Sequence, residues 1–353
     1  MSLTITYPTN VALDKVVQQY VIDTSAFKGL QIMPVEEAMT QKVQWDELDN
    51  ESGMTAPHLL GTDPRIDLRP GSRLREYTPI AFKETDLVKE DEILRARMLG
   101  TLGGVVNINT IVAQLAKSRM DKTRIRQEKT IWDALRGQLT INENGVFVNE
   151  SFGVRQYTPL VPWSDLVNSR PLKDFNAIKL LFRGSGATDK GAIAYINQTT
   201  CNWLLENQNK DDLKGFQGSN FTQLPFSLDQ INTVLTARGL PILEVYDAGY
   251  YDSDGTYHTF IADGDVHIEG KRPFGQRVGN WISTPSLHRV VNGMPAPGFF
   301  EILEVNGMPS NGATTISLAQ LGAGKNPKFE LTGGIYGGPA MRYARSMVRM
   351  ATA

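Results

Sequence analysis

Residues 105–136, VVNINTIVAQLAKSRMDKTRIRQEKTIWDALR, form the longest helix candidate in the chain. The segment contains no proline, and it is followed by Gly137, the residue type that is most favoured just after the end of a helix. At about 1.5 Å per residue, a helix of this length would extend about 48 Å. We therefore predict a helical strut that spans a whole domain.

The side-chain pattern of this helix predicts different surroundings at its two ends. An apolar stripe over its first half consists of Ile108, Ile111, Val112 and Leu115. Because successive helical residues are rotated by about 100°, the same face then becomes basic. This basic stripe consists of Arg119, Lys122, Arg126 and Lys129. The later apolar residues lie on roughly the opposite side and are Ile131, Trp132 and Leu135. The basic stripe is either a solvated face or a surface that contacts phosphate or acidic groups of a neighbouring subunit.

Upstream of the helix, residues 53–90 are rich in proline and glycine and are too interrupted for a helix. Two extended strands are suggested there by Leu74, Tyr77, Ile80 and Phe82. We therefore expect a long hairpin that projects from the body, a feature that usually has a functional reason. The flanking charge is acidic over residues 36–63 and basic over residues 65–75. Such a segment suits docking on neighbouring molecules, although a solvated loop of mixed charge has the same composition.

Downstream of the helix, the sequence predicts a strand pair and then a second α+β unit. Residues 139–141 and 146–148 flank Asn144 and Gly145, a dipeptide typical of tight β-hairpins. Helices are expected around residues 173–182, 198–208 and 227–238, and strands at 192–196, 242–246, 258–262 and 266–269. A further hairpin turn is predicted at 252–255, with positive φ at Asp254 and Gly255. The tail is expected to form a strand at 329–331 and an amphipathic segment at 341–350.

The residue types that carry most enzyme chemistry occur without a recognisable arrangement. Cys201 is the only cysteine, which excludes an intrachain disulfide and a cysteine-rich zinc site, and its neighbours predict a buried packing role. The four histidines form no helical pair spaced for one metal ion. No nucleophile elbow, phosphate-binding loop or kinase signature occurs in the sequence. We therefore nominate no catalytic, cofactor-binding or metal-ligating residue.

The composition indicates a folded globular protein without a bulk attraction to polyanions. The chain has 353 residues, of which 41% are hydrophobic and 21% are charged, and it can bury a large core. Its formal net charge is only −2, so any contact with nucleic acid must be local. No apolar run approaches the roughly 18–20 residues that cross a bilayer, and the first ten residues lack the features of a signal peptide. We therefore expect a soluble protein.

The order of these elements, together with four local motifs, resembles the lambda-like capsid protein E family, the major capsid proteins of tailed double-stranded DNA phages. The motifs are REYTP at 75–79 with Phe82 and Lys83, EKTIWDALRG at 128–137, PWSD at 162–165, and GLPILEVYDAGYYDSDGTYHTFIADGDVHIEG at 239–270. The similarity in order and motifs covers about two thirds of the chain. None of the motifs is a catalytic fingerprint, so the similarity rests on their order and spacing.

The resemblance implies an α+β fold of the Hong Kong 97 type. This phage capsid fold has an N-arm, an extended E-loop hairpin, a long spine helix in a peripheral domain, and an axial domain. The implied divisions are 1–45 for the N-terminal arm, 46–100 for the E-loop region, 101–170 with 270–332 for the peripheral domain, and 171–269 with 333–353 for the axial domain. The spine helix would occupy 105–136.

The resemblance also nominates candidate contact residues. Inter-subunit contacts of the E-loop are expected at Arg73, Arg75, Glu76, Tyr77 and Lys83. The basic stripe on the spine helix becomes a candidate for the inner face of a shell or for a subunit interface.

The implied function is that of a structural protein and not of an enzyme. Such a protein self-assembles as hexamers and pentamers into an icosahedral head around double-stranded DNA, which it contacts without sequence specificity. The expected partners are further copies of the chain, a scaffolding protein, a portal and, in some relatives, a protease and a decoration protein. We expect no cofactor and no membrane. The protein would belong to the virion after assembly in the bacterial host cytoplasm. Two alternatives stay open, an encapsulin-like nanocompartment shell and an enzyme with no recognisable motif.

Overall fold

A long helix and two β-sheets form the body of the protein. The computed structural model describes residues 5–7, 26–48, 72–89, 108–207, 227–252, 254–291, 293–305, 308–309, 314–316 and 328–353. Three expected features lie outside these residues: most of the N-terminal arm, the tip of the E-loop, and residues 105–107 at the start of the spine helix.

The described chain contains five α-helices and 21 β-strands. The helices are α1 (Lys28–Ile32), α2 (Ile108–Arg136), α3 (Pro171–Leu181), α4 (Gln198–Glu206) and α5 (Leu228–Ala237). The strands are β1 (Ile5–Tyr7), β2 (Val35–Glu37), β3 (Val43–Leu48), β4 (Ser72–Tyr77), β5 (Ile80–Lys89), β6 (Gln138–Glu143), β7 (Val146–Ser151), β8 (Arg155–Tyr157), β9 (Thr188–Ile196), β10 (Ile242–Val245), β11 (Gly249–Tyr251), β12 (Tyr257–Thr259), β13 (Asp265–Lys271), β14 (Gly279–Ser283), β15 (Ser286–Val291), β16 (Met294–Ala296), β17 (Phe300–Val305), β18 (Met308–Pro309), β19 (Thr314–Ile316), β20 (Lys328–Met341) and β21 (Met347–Ala351). Single 3₁₀ turns occupy Pro273–Gly275 and Ala344–Ser346.

The six-stranded sheet is built around β20, its longest strand. β20 pairs antiparallel with β5 and also with β17 and β14. The strand order is β18-β17-β20-β14-β2, with β5 attached to β20. Helix α2 packs on β20 and β5. Its residues Val112, Ala116 and Met120, which lie four positions apart on one face, are buried.

The five-stranded sheet has the order β10-β9-β13-β21-β8 and mixes parallel with antiparallel pairs. Its core includes residues from α3, α4 and α5, which match the three helices expected from the sequence. Cys201 is buried in this core, as its neighbours predicted. The strands expected between residues 192 and 269 correspond to β9, β10, β12 and β13.

The C-terminal half of α2 joins the two sheets. Trp132 is 2% exposed, and its ring stacks on Tyr246 at 5.5 Å between centroids. The same ring meets Tyr195 of β9 edge-on at 5.7 Å and His267 of β13 edge-on at 5.4 Å. The two ends of α2 therefore have different surroundings, as its side-chain pattern predicted.

Two short hairpins form where the sequence predicted them. β6 and β7 are joined by Asn144 and Gly145, with φ of 50° and 80°, the backbone that a two-residue turn of this kind requires. β11 and β12 are also paired, and among the described residues of their turn only Gly255 has positive φ. The prediction of positive φ at Asp254 is wrong, because the Asp252 carboxylate accepts hydrogen bonds from the N–H groups of Asp254 (2.9 Å) and Thr256 (3.2 Å) and closes the turn without it.

The two strands expected around residues 74–82 are present, but they do not pair with each other. β4 pairs with β3, in a register that sets Trp45 opposite Arg75, whereas β5 pairs with β20. Only Thr78 and Pro79 separate β4 from β5. A two-residue hairpin needs positive φ at one or both of these positions, and proline is fixed near −65°. The two-stranded ribbon is therefore β3–β4, and β5 belongs to the six-stranded sheet.

Strand β20 passes through the predicted domain boundary at 332/333. The sequence did not predict a strand of this length, because it contains four glycines at 333, 334, 337 and 338 and glycine is depleted in strands. Gly333 and Gly338 are needed because other side chains cross the strand there, whereas a Cβ at Gly334 or Gly337 would overlap the backbone carbonyl oxygen of Phe82 or Ile282. A Cβ at Gly333 would lie 2.9 Å from Arg119 Cδ, and a Cβ at Gly338 would overlap the Tyr77 hydroxyl. The expected amphipathic segment at 341–350 is instead the end of β20, a 3₁₀ turn and β21.

Candidate functional site

The first half of the basic stripe on α2 faces strand β5 of the same chain. Arg119 is only 2% exposed, and its guanidinium pairs with Asp86 and lies 3.6 Å (Nη1 to Oε1) from Glu301. Lys122, one turn further along the helix, lies 3.8 Å from Glu84 (Nζ to Oε2), and both side chains are more than 60% exposed. The prediction that the stripe is a solvated face, or a surface that contacts a neighbouring subunit, therefore does not hold for Arg119, which is buried within its own subunit.

The second half of the stripe is also paired within the chain. The Arg126 guanidinium lies 5.5 Å from the ring centroid of Phe82 and 2.7 Å from Glu143 (Nη2 to Oε2). Lys129 pairs with Asp133 at 2.9 Å, one turn along the helix. Phe82, Glu84 and Asp86 alternate along β5, so they share one face of the strand. We name this contact the α2–β5 seam: Arg119, Lys122 and Arg126 against Phe82, Glu84 and Asp86.

Arg75, one of the predicted inter-subunit residues, fastens the β3–β4 ribbon to its own subunit. Its Nη2 donates to the carbonyl oxygen of Ser151 at 2.6 Å. Its guanidinium also lies 3.4 Å from Glu47 (Nη1 to Oε2) and 5.8 Å from the Trp45 ring centroid. Arg75 is therefore an anchor at the base of the ribbon.

Tyr77 and Glu76 occupy opposite faces of β4. The Tyr77 hydroxyl donates to the carbonyl oxygen of Pro339 at 2.9 Å, and burial raises the pKa of Tyr77 well above its ordinary value. Glu76 is exposed, pairs with Lys42 and accepts from Gln44 Nε2 at 2.8 Å. These hydrogen bonds, that of Lys42 foremost, lower the pKa of Glu76. Tyr77 thus fixes the ribbon to β20, while Glu76 pairs across it.

Arg73 and Lys83, the remaining predicted contacts, are exposed. Within the described part of the chain, neither forms an ion pair. Of the five E-loop candidates, these two are therefore the exposed cations that have no ion pair with another described residue.

The buried carboxylate of Glu128, which the sequence analysis did not single out, joins three parts of the chain. Its Oε1 accepts hydrogen bonds from Gly29 N (2.6 Å), Trp132 Nε1 (2.8 Å) and the Tyr246 hydroxyl (2.8 Å). Its Oε2 accepts from Leu30 N at 2.9 Å. Burial raises the pKa of Glu128 above its ordinary value, and the hydrogen bonds oppose that rise. The only sequence signal was its position one helical turn before Trp132.

A second buried ionic group ties the end of α2 to the five-stranded sheet. Asp265 pairs with Arg136 at 3.0 Å and with Arg349 at 2.7 Å. His267, two residues along β13, is fully buried, and burial lowers its pKa to about 4. This histidine is therefore neutral at physiological pH and serves packing against Trp132.

Two cavities open at one end of the five-stranded sheet. One has a volume of about 400 Å³ and the other about 500 Å³, and Gly191 and Lys271 line both. Glu269 lies in the smaller one, 3.4 Å from the Tyr195 hydroxyl, and burial raises its pKa to about 6. No described group of three or more His, Cys, Asp or Glu residues is arranged to hold a metal ion. None of the described helices is both long and apolar enough to cross a membrane.

The buried and exposed parts of the α2–β5 seam should respond differently to truncation. Arg119→Ala is expected to lower the free energy of unfolding by about 3–5 kcal/mol, because it breaks a buried ion pair. The matched change Lys122→Ala should lower it by about 0.5 kcal/mol or less, because that pair is exposed. Urea unfolding followed by tryptophan fluorescence measures both values. Equal effects of the two substitutions would contradict the burial of Arg119.

Glu128→Ala should loosen the base of the N-terminal arm. The change leaves four buried donors without their acceptor, so we expect a loss of about 3–5 kcal/mol in unfolding free energy. Hydrogen exchange at the Gly29 and Leu30 amides should accelerate more than exchange in the middle of α2. Glu128→Gln, which keeps one acceptor oxygen, serves as the matched control and should have a smaller effect. Unchanged protection at Gly29 and Leu30 would show that Glu128 does not hold α1.

Glu269 should make stability depend on pH. Its native pKa of about 6 exceeds the ordinary value of 4.5, so the folded protein binds this proton more tightly than the unfolded chain. Stability from this group is therefore lost as pH rises from 4.5 through about 6. Glu269→Gln cannot ionise, so its unfolding free energy relative to the parent should rise by about 1–2 kcal/mol between about pH 4 and about pH 7.5. Urea titrations across this range test the slope, and a constant difference would refute it.

Comparison with known proteins identifies the family. The chain matches the family model described as phage major capsid protein E over residues 10–279. Its fold is similar to that of a protein assigned as the capsid protein of a prophage from Escherichia coli CFT073, with 14% identity, 100% of both chains covered and a TM-score of 0.53. No curated protein matches the chain.

Two further solved structures align over most of their length. One is a phage-related protein from Bordetella bronchiseptica RB50, with 11% identity, 99% of this chain and 98% of that chain covered, and a TM-score of 0.46. The other is the encapsulin SrpI from Synechococcus elongatus PCC 7942, with 12% identity, 92% and 86% covered, and a TM-score of 0.42.

The matched residues 10–279 make up well over half of the chain and include helix α2 and all four motifs in full. The comparison therefore confirms the resemblance drawn from those motifs, together with a structural and not a catalytic role. The chain belongs to the phage major capsid protein E family, and it is a capsid protein with the Hong Kong 97 type of fold.

Proposed function

We propose that this protein builds the icosahedral head of a tailed phage or prophage, assembling as hexamers and pentamers around packaged double-stranded DNA. The observation that carries this proposal is the β3–β4 ribbon. Its two strands are paired from Val43–Tyr77 to Leu48–Ser72, so residues 49–71 connect them at the far end. A ribbon anchored at its base on its own subunit has its other end available to another subunit.

The proposed parts of the subunit follow its two sheets. Residues 1–45 serve as the N-arm, 46–100 as the E-loop region, and α2 as the spine helix. The six-stranded sheet with α2 forms the peripheral domain, and the five-stranded sheet with α3, α4 and α5 forms the axial domain. Because β20 is one continuous strand of the six-stranded sheet, the second boundary moves from 332/333 to the end of β20 at Met341.

The candidate contacts divide according to how the subunit itself uses them. Arg75, Glu76 and Tyr77 hold the ribbon together and to the body. Arg73 and Lys83 are exposed and are the E-loop residues proposed to meet a neighbouring subunit. In the basic stripe, Lys122 is 63% exposed and is the member proposed to reach an inner surface or interface.

Other components complete the proposed assembly. A scaffolding protein, a portal, a protease and a decoration protein are the classes of partner proposed for a head of this family. Assembly would take place in the cytoplasm of the bacterial host, and DNA would be contacted without sequence specificity, as the family resemblance implies. These contacts would be local, since the net charge of −2 gives no bulk attraction. An encapsulin-like shell would enclose protein cargo in place of DNA, so the nucleic acid content of purified particles separates the two.

Shortening the E-loop should block assembly without unfolding the subunit. Replacing residues 49–71 by Asn-Gly would join Leu48 to Ser72 through a two-residue turn and preserve the base of the ribbon. We expect the variant to unfold in urea like the parent but to form no closed particles in negative-stain images. The control replaces the same residues by a Gly-Ser linker of equal length, which tests whether the loop sequence or only its length is needed. Closed particles from the shortened variant would disprove the E-loop assignment.

A further inference from the structure

The two ends of the five-stranded sheet carry opposite charge. β9 runs from Thr188 to Ile196, and the antiparallel pairing of Lys271 with Thr188 brings the end of β13 beside the start of β9. The exposed cations at or near this end are Arg183, Lys190, Lys271 and Arg277. The exposed carboxylates at the other end are Asp229, Asp247, Asp254 and Asp263. None of these eight side chains has an ion pair with another described residue.

The basic end is concave. The larger cavity there has a volume of about 500 Å³, and Lys190 and Lys271 line it together with Leu240 and Ile242. It adjoins the second cavity, which Arg277 lines, at Gly191 and Lys271. This cleft therefore offers cations beside an apolar floor, a combination that suits a protein surface carrying both carboxylates and aromatic rings.

The acidic end carries a projecting hairpin with those properties. The hairpin β11–β12 exposes Tyr251 (72%) and Tyr257 (44%), whose ring centroids lie 5.1 Å apart. Its turn is braced by Asp252, which pairs with His258 at 2.8 Å and accepts from the Asp254 backbone. Asp254 itself is exposed at the turn. The hairpin is thus a preorganised knob with an acidic tip and an aromatic side.

The knob and the cleft cannot meet within one subunit. β9 alone separates the two ends of the sheet by about 26 Å, at roughly 3.3 Å per residue. They can meet only between copies, and two different complementary patches on one chain form head-to-tail contacts, which close into rings when the rotation allows. A copy whose hairpin occupies the cleft of one neighbour keeps its own cleft free for another copy, as a ring requires, whereas a reciprocal twofold dimer would use both patches in one interface.

We propose that the β11–β12 hairpin of one copy docks into the basic cleft of the next copy around a ring, with Asp254 between Lys190 and Lys271. The contact deepens the proposed function and rests on it, since it supplies one interface of the hexamer and pentamer. The tyrosines pack toward Ile242, and the carboxylates pair with cations that the subunit leaves without a partner among its described residues.

Charge reversal tests the pairing. The pair Lys190→Glu with Lys271→Glu, and separately the pair Asp247→Lys with Asp254→Lys, should each abolish closed particles and rings. Each altered subunit should keep its circular dichroism spectrum and its urea midpoint, because the altered side chains are exposed. All four changes in one chain should restore assembly. Shells that form as well as the parent's from either reversed pair would overturn the proposal while leaving the proposed function intact. Parent protein that never assembles would overturn both.

A designed disulfide locates the contact directly. Lys190→Cys with Asp254→Cys should give a ladder of crosslinked oligomers on a non-reducing gel of assembled particles, because each copy then links to the next. Each single-cysteine variant is a matched control and should give no ladder, and the native Cys201 is buried. Particles of the double variant that show no ladder would overturn the proposal. Loss of packaged DNA from particles of the lysine-reversed variant, with assembly intact, would assign the cleft to nucleic acid and overturn it as well.

Discussion

The buried carboxylate of Glu128 is the interaction on which the arrangement of the subunit depends. Its two oxygens receive four hydrogen bonds from α1, α2 and the link after β10. Gly29 is required there because a Cβ would lie 2.9 Å from Oε2. Each donor is itself fixed by a packed element, so the carboxylate sets their relative positions. A buried carboxylate is costly unless hydrogen bonds replace its lost hydration, and four donors do so here.

Opposite charges are used in the same way along the rest of α2. The α2–β5 seam and the Asp265 group place cations of the helix against carboxylates of two different sheets. The helix therefore holds the six-stranded sheet through one half and the five-stranded sheet through the other. The chain has nearly equal numbers of basic and acidic residues, 36 and 38. Among the described residues, exposed charges without an ion pair, such as Arg73 and Lys190, are the ones available to neighbours.

Local signals in the sequence predicted individual helices and strands, but not which strands pair with each other. The absence of proline predicted α2, and Asn144 with Gly145 predicted the β6–β7 turn. The family motifs predicted the fold class. The pairing of β4 with β3 has no local sequence signature, because residues 49–71 lie between the two strands. β20 was not predicted as a long strand because it contains four glycines, and the need for two of them becomes clear only from the positions of the Arg119 and Tyr77 side chains. The prediction for Arg119 failed because its partner Asp86 lies on β5, and nothing local to the helix sequence indicates that the alternating carboxylates of β5 face the stripe.

The pairing of β5 with β20 has a mechanical consequence. The β3–β4 ribbon continues, after Thr78 and Pro79, into β5, whose ten register pairs with β20 run antiparallel along the strand. A force that pulls the ribbon along this direction loads all ten β5–β20 pairs in shear. The hydrogen bonds between the two strands must then break together and not one after another. The hydrogen bond from the Tyr77 hydroxyl to the Pro339 carbonyl oxygen is a further attachment where the ribbon meets the sheet. In a shell wall built of such subunits, outward pressure would place the ribbon and the six-stranded sheet under tension. Each subunit would then transmit this tension to its neighbours.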